Sequence, residues 1–188
     1  MRLVLASTSP ARRALLDGLG VPYEAEVPGV DEEVPPGTPV EDAVRMLALR
    51  KARAVAGRHP GALVIGADQL AEVDGQALGK PASRDVARAQ LGSLLGRAHR
   101  LLTAVALVGQ GDEQLALDVV TLRFHPVGPE ELARYLDTEE WRGCAGGYRI
   151  EARGQALVDA MDGDRTSVQG LPMLPLVRML RARGFPLL

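Results

Sequence analysis

Apolar and polar positions fall along this chain in short blocks whose period changes several times. Residues 2–6 (Arg-Leu-Val-Leu-Ala) are an apolar run with the character of a buried strand. Ser9 and Pro10 then pair an N-cap with a first helical proline, which predicts a helix over 10–19, ended by Gly20 and Pro22. A strand near 23–27 follows, then an acidic, proline-containing loop, Val30-Asp31-Glu32-Glu33-Val34-Pro35-Pro36. Thr38-Pro39-Val40-Glu41 reads as a capping box that opens a long helix to about Arg58, with Val44, Leu47, Ala48, Lys51 and Val55 near one face. Residues 62–67 form an apolar strand ending at Asp68, and Asp74-Gly75 is a hairpin signal between strands near 70–73 and 76–78.

In the second half, Ser83 predicts the start of a helix over 83–94, and two long strand-like segments, 99–108 and 114–125, are joined by Gly109–Asp112. Gly128-Pro129 opens a helix to about Asp137. The small-residue stretch Gly143–Gly147 should feed a strand near 148–151, followed by a hairpin-like region over 155–162 and a last helix from Pro172 to about 183. Early strand–helix units with later hairpins predict an α/β fold, a mixed twisted sheet with flanking helices.

Composition narrows what such a fold can be for. Apolar residues make up 46% of the 188 positions but aromatics only 3%, so the core must be built from Leu, Val and Ala. The net charge of −2, with both signs interspersed, disfavours a nucleic-acid partner, which calls for a basic field. No apolar stretch approaches the length of a membrane span or a secretory signal, and the lone Cys144 rules out an internal disulfide framework. The expectation is a cytoplasmic protein without a membrane partner. Lysine occurs only at Lys51 and Lys80, against twenty arginines. A lysine is a compact point charge suited to a phosphate oxygen or a tight pocket, so both are candidates for such places.

Candidate chemistry clusters at a few junctions. Ser7, Thr8 and Ser9 lie between a strand end and a helix start, where free N–H groups and the helix dipole attract anions, with Arg12 and Arg13 in the first turn. An ordinary cap followed by solvated arginines has the same pattern. Asp68 ends an apolar strand, as a metal ligand or general base would, and as a turn-forming aspartate also does. Asp31-Glu32-Glu33 could add oxygen ligands for a hard cation or be a solvated loop. Gly79-Lys80-Pro81 sets the second lysine in a rigid turn. Gly143–Glu151 joins small residues, which allow close backbone approach, to Tyr148 and Glu151, which could face a base. Cys144 has no base partner in sequence and suits packing, and His59, His99 and His125 show no ligand spacing.

Taken in order, Leu5-Ala6-Ser7-Thr8-Ser9-Pro10-Ala11-Arg12-Arg13, Val30-Asp31-Glu32-Glu33, Lys51-Ala52, Gly66-Ala67-Asp68, Gly79-Lys80-Pro81, Gly143–Tyr148 and Gly170-Leu171-Pro172 resemble the blocks of the Maf family of nucleotide pyrophosphatases. The likeness covers nearly the whole chain, so residues 1–188 are expected to form a single Maf-like domain. It implies two lobes around a central cleft, similar to inosine-triphosphate pyrophosphatases. It implies hydrolysis of nucleoside triphosphates between the α and β phosphates, with a divalent cation (Mg²⁺ or Mn²⁺) and a homodimer. The family is also associated with inhibition of septum formation, so a regulatory protein without essential catalysis is an alternative expectation.

By position, Ser7, Arg12, Arg13, Glu32, Lys51, Asp68 and Lys80 would line the phosphate and metal site, with Ser9 on the same opening loop. Glu32 and Asp68 would hold the metal, and Asp68 matches the family's proton acceptor. The branch acting on dTTP and UTP carries Arg, Thr and Gln where this chain has Ala11, Gln69 and Glu151. Gln69 and Glu151 are more similar to the branch acting on 7-methyl-GTP, which tends to have Trp in place of Ala11. A carboxylate at 151 suits the N–H donors or the positive charge of a methylated guanine. The resemblance therefore points to a 7-methyl-GTP-type substrate, with dTTP or UTP as the alternative.

Overall fold

The structure is a computed structural model that describes residues 1–188. Its strands are β1 (Leu3–Leu5), β2 (Glu24–Ala25), β3 (Leu63–Val73), β4 (Gln76–Leu78), β5 (Ala98–Gly109), β6 (Asp112–Phe124) and β7 (Val158–Asp162). Its helices are α1 (Pro10–Asp17), α2 (Val40–Ala56), α3 (Arg84–Leu94), α4 (Pro129–Asp137), α5 (Arg165–Val168) and α6 (Met173–Ala182). The strands form one seven-stranded mixed sheet in the order β2-β1-β3-β5-β6-β7, with β4 paired to β3. β1 is parallel to β2 and β3 because a helix-containing segment returns the chain in each case. β3–β4 and β6–β7 are antiparallel. This is the mixed α/β architecture that the pattern of elements predicts.

The chain forms two compact units. The first comprises Met1–Asp68, Thr103–Asp118 and Gly170–Leu188. Its core is aliphatic: Leu3 and Leu5 of β1, Leu16 of α1, Leu63 and Ile65 of β3, Val105 and Leu107 of β5, and Leu176 and Leu180 of α6. The second comprises Gln69–Leu102 and Val119–Gln169. Its core gathers Leu91 and Leu94 of α3, Leu122 and Phe124 of β6, Leu132 and Leu136 of α4, and Trp141 and Tyr148 from the loops. The buried Trp141 indole donates to the Leu136 carbonyl at 3.0 Å, which satisfies its one polar atom.

Most predicted elements stand within a few residues of their expected ends, and the departures have physical causes. The Thr38 hydroxyl donates to the Pro35 carbonyl at 2.7 Å, within a proline-rich turn. It is therefore not the cap of α2, whose N-cap is Pro39, without a side-chain hydrogen bond. The strands expected at 62–67 and 70–73 are one, β3, which runs through Asp68 to Val73, where Ala71–Val73 pair with β4 across the Asp74-Gly75 turn. Tyr148–Glu151 form no strand. Gly146 takes a left-handed φ of 70° within a short 3-10 segment, Ala145–Gly147, and a second 3-10 segment follows at Arg153–Leu157. The hairpin expected over 155–162 is instead the strand β7, paired with β6. The short helix α5, capped by the Asp164 carboxylate on the Thr166 N–H (2.8 Å), has too few residues to show a period in sequence.

Within the second unit His99 is buried edge-on against Phe124 and Tyr148, and its Nε2 lies 3.0 Å from the Tyr148 hydroxyl. Its Nδ1 is buried with no hydrogen-bond partner. Burial pulls the imidazole's pKa down from 6.5 to about 4. Between those values the unfolded chain binds a proton that the folded chain refuses. Stability is thus intact above pH 6.5 and falls as the pH drops toward 4, by about 3 kcal/mol from this one group. Urea unfolding of the wild type and of His99→Gln at pH 4 to 7 is expected to show a pH slope shallower by up to one proton in the variant. Equal slopes would mean that His99 is protonated in the folded state.

Candidate active site

The first unit brings several of the sequence-predicted residues to one place. The close approach of α2 to β3 is set by Gly66. A Cβ there would lie 2.3 Å from the Ala48 carbonyl oxygen and 2.8 Å from the Ala52 Cβ. Only a residue without a side chain permits that contact. It seats Lys51, on the buried face of α2, against Asp68 of β3. The Lys51 ammonium lies 2.5 Å from Asp68 Oδ1 and 2.7 Å from Glu32 Oε1. Lys51 and Asp68 are only 4% and 6% exposed, whereas the Glu32 side chain is half exposed. One buried ammonium thus holds two carboxylates, one inside and one facing solvent.

The N-terminal loop completes this group. β1 and β3 pair in parallel with Leu5 opposite Ile65, so the next residues of β1, Ala6 and Ser7, advance beside Gly66 and Ala67. Ser7 is buried, and its hydroxyl accepts from the Ser9 N–H at 3.1 Å and from Arg12 Nη1 at 3.4 Å. Ser9 is the N-cap of α1, as expected, its hydroxyl accepting from the Arg12 N–H at 3.5 Å. Arg12 folds back rather than entering solvent, and its Nε donates to the Gly170 carbonyl at 2.8 Å. Gly170 has φ +101°, and an added Cβ would meet Arg12 Nε at 3.2 Å. Burial lowers the Arg12 pKa, and the charges of Asp68 and Glu32 partly restore it, so the guanidinium lies within electrostatic range of both. Arg13 points outward, with its carbonyl accepting from the Tyr23 hydroxyl at 3.3 Å.

Ser7, Ser9, Arg12, Glu32, Lys51 and Asp68 therefore assemble, and Arg13 sits beside them on the exposed side of α1. Two further residues belong to this assembly without having been read as site residues. Gly170, part of the block Gly170-Leu171-Pro172 but given no role there, anchors Arg12. Arg50, next to Lys51 on α2, donates from Nη1 to the carbonyls of Asp31 (2.6 Å) and Glu33 (2.9 Å). Nothing in the sequence distinguishes it from the other arginines.

No trio of His, Cys, Asp or Glu side chains gathers as a ready-made metal cage. The pair Glu32 and Asp68 fits a different type of ion, a hard cation that takes one or two carboxylates and fills its shell with phosphate oxygens and water. Asp68 supplies a buried oxygen set and Glu32 an exposed one, on the same ammonium.

Lys80, Gln69 and Glu151 belong to the second unit. The Gln69 amide donates to the carbonyls of Ser167 (2.8 Å) and Val168 (3.0 Å). Lys80 is exposed in its turn, which the Gly146 N–H joins by donating to the Gly79 carbonyl at 3.2 Å. The exposed Glu151 lies 3.7 Å from Arg149 Nε. The Arg149 guanidinium also hydrogen-bonds Cys144, whose thiol pKa is raised by burial above all. That argues for packing rather than nucleophilic chemistry at Cys144.

The crystal structure of protein VC0702 from Vibrio cholerae aligns over 99% of both chains with a TM-score of 0.51 and 17% identity, which is a likeness of fold. Residues 2–183 match the family model of Maf-like proteins, and the chain belongs to that family. A dTTP/UTP pyrophosphatase of Symbiobacterium thermophilum is 45% identical over 99% of this chain and 96% of its own length. A 7-methyl-GTP pyrophosphatase of Xanthomonas oryzae pv. oryzae is 46% identical over 99% and 98%. No helix is long and apolar enough to cross a membrane.

Gly66→Ala forces α2 off β3, since the obstacle is backbone. Overpacking of this kind costs about 1–3 kcal/mol, or roughly 2–12 °C in Tm for a chain of this size. A thermal melt of the variant is expected to fall in that range, with impaired turnover from a displaced Lys51. An unchanged Tm would show that the two backbones are not in contact.

Proposed function

We propose that the chain is a nucleoside triphosphate pyrophosphatase that hydrolyses the α–β phosphate bond to a nucleoside monophosphate and pyrophosphate. The observation that carries this reading is the buried Lys51 ammonium shared by Asp68 and Glu32, in a chain of the Maf-like family. Phosphoryl transfer needs positioning and neutralisation of charge more than covalent chemistry. Lys51 and Arg12, with Arg13 at the rim, are the cations that the first unit offers a triphosphate, and Lys80 is a further cation on the second unit. Ser7 and Ser9 offer hydroxyls on the opening loop. Lys51 orients the Asp68 carboxylate, which takes the proton of the attacking water as the bond to pyrophosphate breaks. A divalent cation, Mg²⁺ or Mn²⁺, held by Glu32 and Asp68, supplies further neutralisation of the phosphates when bound.

For the base we propose 7-methyl-guanine. Glu151 presents an exposed carboxylate from a turn whose neighbour Arg149 is 3.7 Å away, and a carboxylate suits a donor-rich or cationic base. Gln69, its amide hydrogens held by Ser167 and Val168, is the other residue that fits this reading. The similarity to the Symbiobacterium thermophilum enzyme favours dTTP and UTP as a second reading.

Pyrophosphate release from a panel of canonical and methylated triphosphates, with Mg²⁺ or Mn²⁺, tests both. 7-Methyl-GTP is expected to give the highest kcat/KM, and dTTP or UTP in that place would transfer the assignment to the second reading. Asp68→Asn is expected to fold normally by circular dichroism and lose about 10²–10⁴-fold in kcat. Near-normal turnover would remove Asp68 from the mechanism. Lys51→Arg is expected to lose at least tenfold, because a forked guanidinium does not fit the slot of a single ammonium. Full activity would show that any cation suffices there.

A further inference from the structure

The acidic loop ahead of α2 is not the solvated run that its composition suggests. Arg50 Nη1 spans the carbonyls of Asp31 (2.6 Å) and Glu33 (2.9 Å), the two residues flanking Glu32. The Asp31 carboxylate accepts from the Glu33 N–H at 2.8 Å and closes the turn from within. Eight residues further on, just past the end of α2, Arg58 donates to the Val27 carbonyl at 2.8 Å and pairs with Glu26. The segment from Glu26 to Glu33 is thereby tied at two places, by Arg50 on α2 and by Arg58 beyond its end. Only the Arg50 strap brackets a residue of the site. Lys51, the next residue after Arg50, receives the Glu32 carboxylate.

We propose that Arg50 is the positioning residue of this site, setting Glu32 in reach of Lys51 and of a bound cation by fixing the backbone on both sides of it. Three features of the geometry support this. Arg50 touches main-chain oxygens only in that turn, so it acts on the placement of Glu32 and not on its charge. Both acceptors are reached from one nitrogen, so their spacing is set by a single atom. Glu32 is half exposed and pairs with Lys51 from the solvent side, so the backbone on either side of it sets how its carboxylate meets that ammonium. Partners of this kind, one step removed from a metal ligand, change metal affinity or activity by about 10–100-fold when lost.

The role of Glu32 rests on the pyrophosphatase reading above, but the test does not depend on turnover alone. Mn²⁺ binding to the full chain, followed by electron paramagnetic resonance in the absence of nucleotide and again with a non-hydrolysable triphosphate, is compared for the wild type, Arg50→Ala, Arg50→Lys, Glu32→Gln and Arg50→Ala with Glu32→Gln. Arg50→Ala is expected to weaken Mn²⁺ binding about 10–100-fold with little change in Tm, and Arg50→Lys to recover part of it. In the Glu32→Gln background, Arg50→Ala is expected to have no further effect. Additive losses in the double variant, or wild-type Mn²⁺ binding in Arg50→Ala, would overturn the proposal. If no triphosphate is hydrolysed while the Mn²⁺ results hold, the reaction assignment fails and the positioning role stands.

Discussion

An ammonium buried between two carboxylates is the constraint on which the first unit is built. Removing a charge from water is expensive, and it is tolerated here only because Lys51 finds Asp68 at 2.5 Å and Glu32 at 2.7 Å. Everything nearby serves that contact. Gly66 admits the helix backbone, the parallel pairing of β1 with β3 brings the serine loop alongside, and the arginine strap delivers Glu32. Such a pair is weak evidence for stability, because an apolar replacement would be at least as stable. Its retention inside an otherwise aliphatic core points to chemistry, and the ordered Maf-like blocks give the same answer independently.

Much of this was legible in the sequence, for reasons that can be named. β1, α1, α3 and α4 announce themselves through apolar runs and caps a few residues apart, and the caps at Ser9 and Ser83 hold as read. Lys51 was legible as an inward residue because Val44, Leu47, Ala48 and Val55 define the same face, and all are buried. What failed to show depends on contacts between distant residues. The hairpin at Asp74-Gly75 was legible, but not that the strands read at 62–67 and 70–73 are one continuous strand through Asp68. The loss of the strand expected at Tyr148 follows from backbone turns at consecutive glycines, and α5 is too short to have a period. In the site, Arg12 could be read from sequence only as a first-turn cation, facing an anion or solvated. It is held instead by a carbonyl 158 positions away in sequence, a partner no local pattern can reveal.

The two units meet the demand for a core differently. The few aromatic residues are concentrated in the second, where Phe124, Tyr148 and His99 form an edge-to-face trio beneath the Gly-rich loop. The first relies on branched aliphatics packed against strands, the arrangement that parallel pairing with helical crossovers favours. A rigid aliphatic base suits a group of charges whose spacing must not drift. The loop-rich, aromatic unit carries Lys80 and two of the residues that separate the readings of base choice, Gln69 and Glu151.

The hydrogen bond from Arg12 to the Gly170 carbonyl also bears on how the chain is made. The second unit uses only residues between 69 and 169, so all its parts have been synthesised before Gly170 is added. The first unit needs its opening segment, its middle segment and its final nineteen residues together. On the ribosome, where folding follows the order of emergence, the unit encoded in the interior of the gene can close first. Lys51, Glu32 and Asp68 are made early, but Arg12 finds its carbonyl partner only once Gly170 has been added.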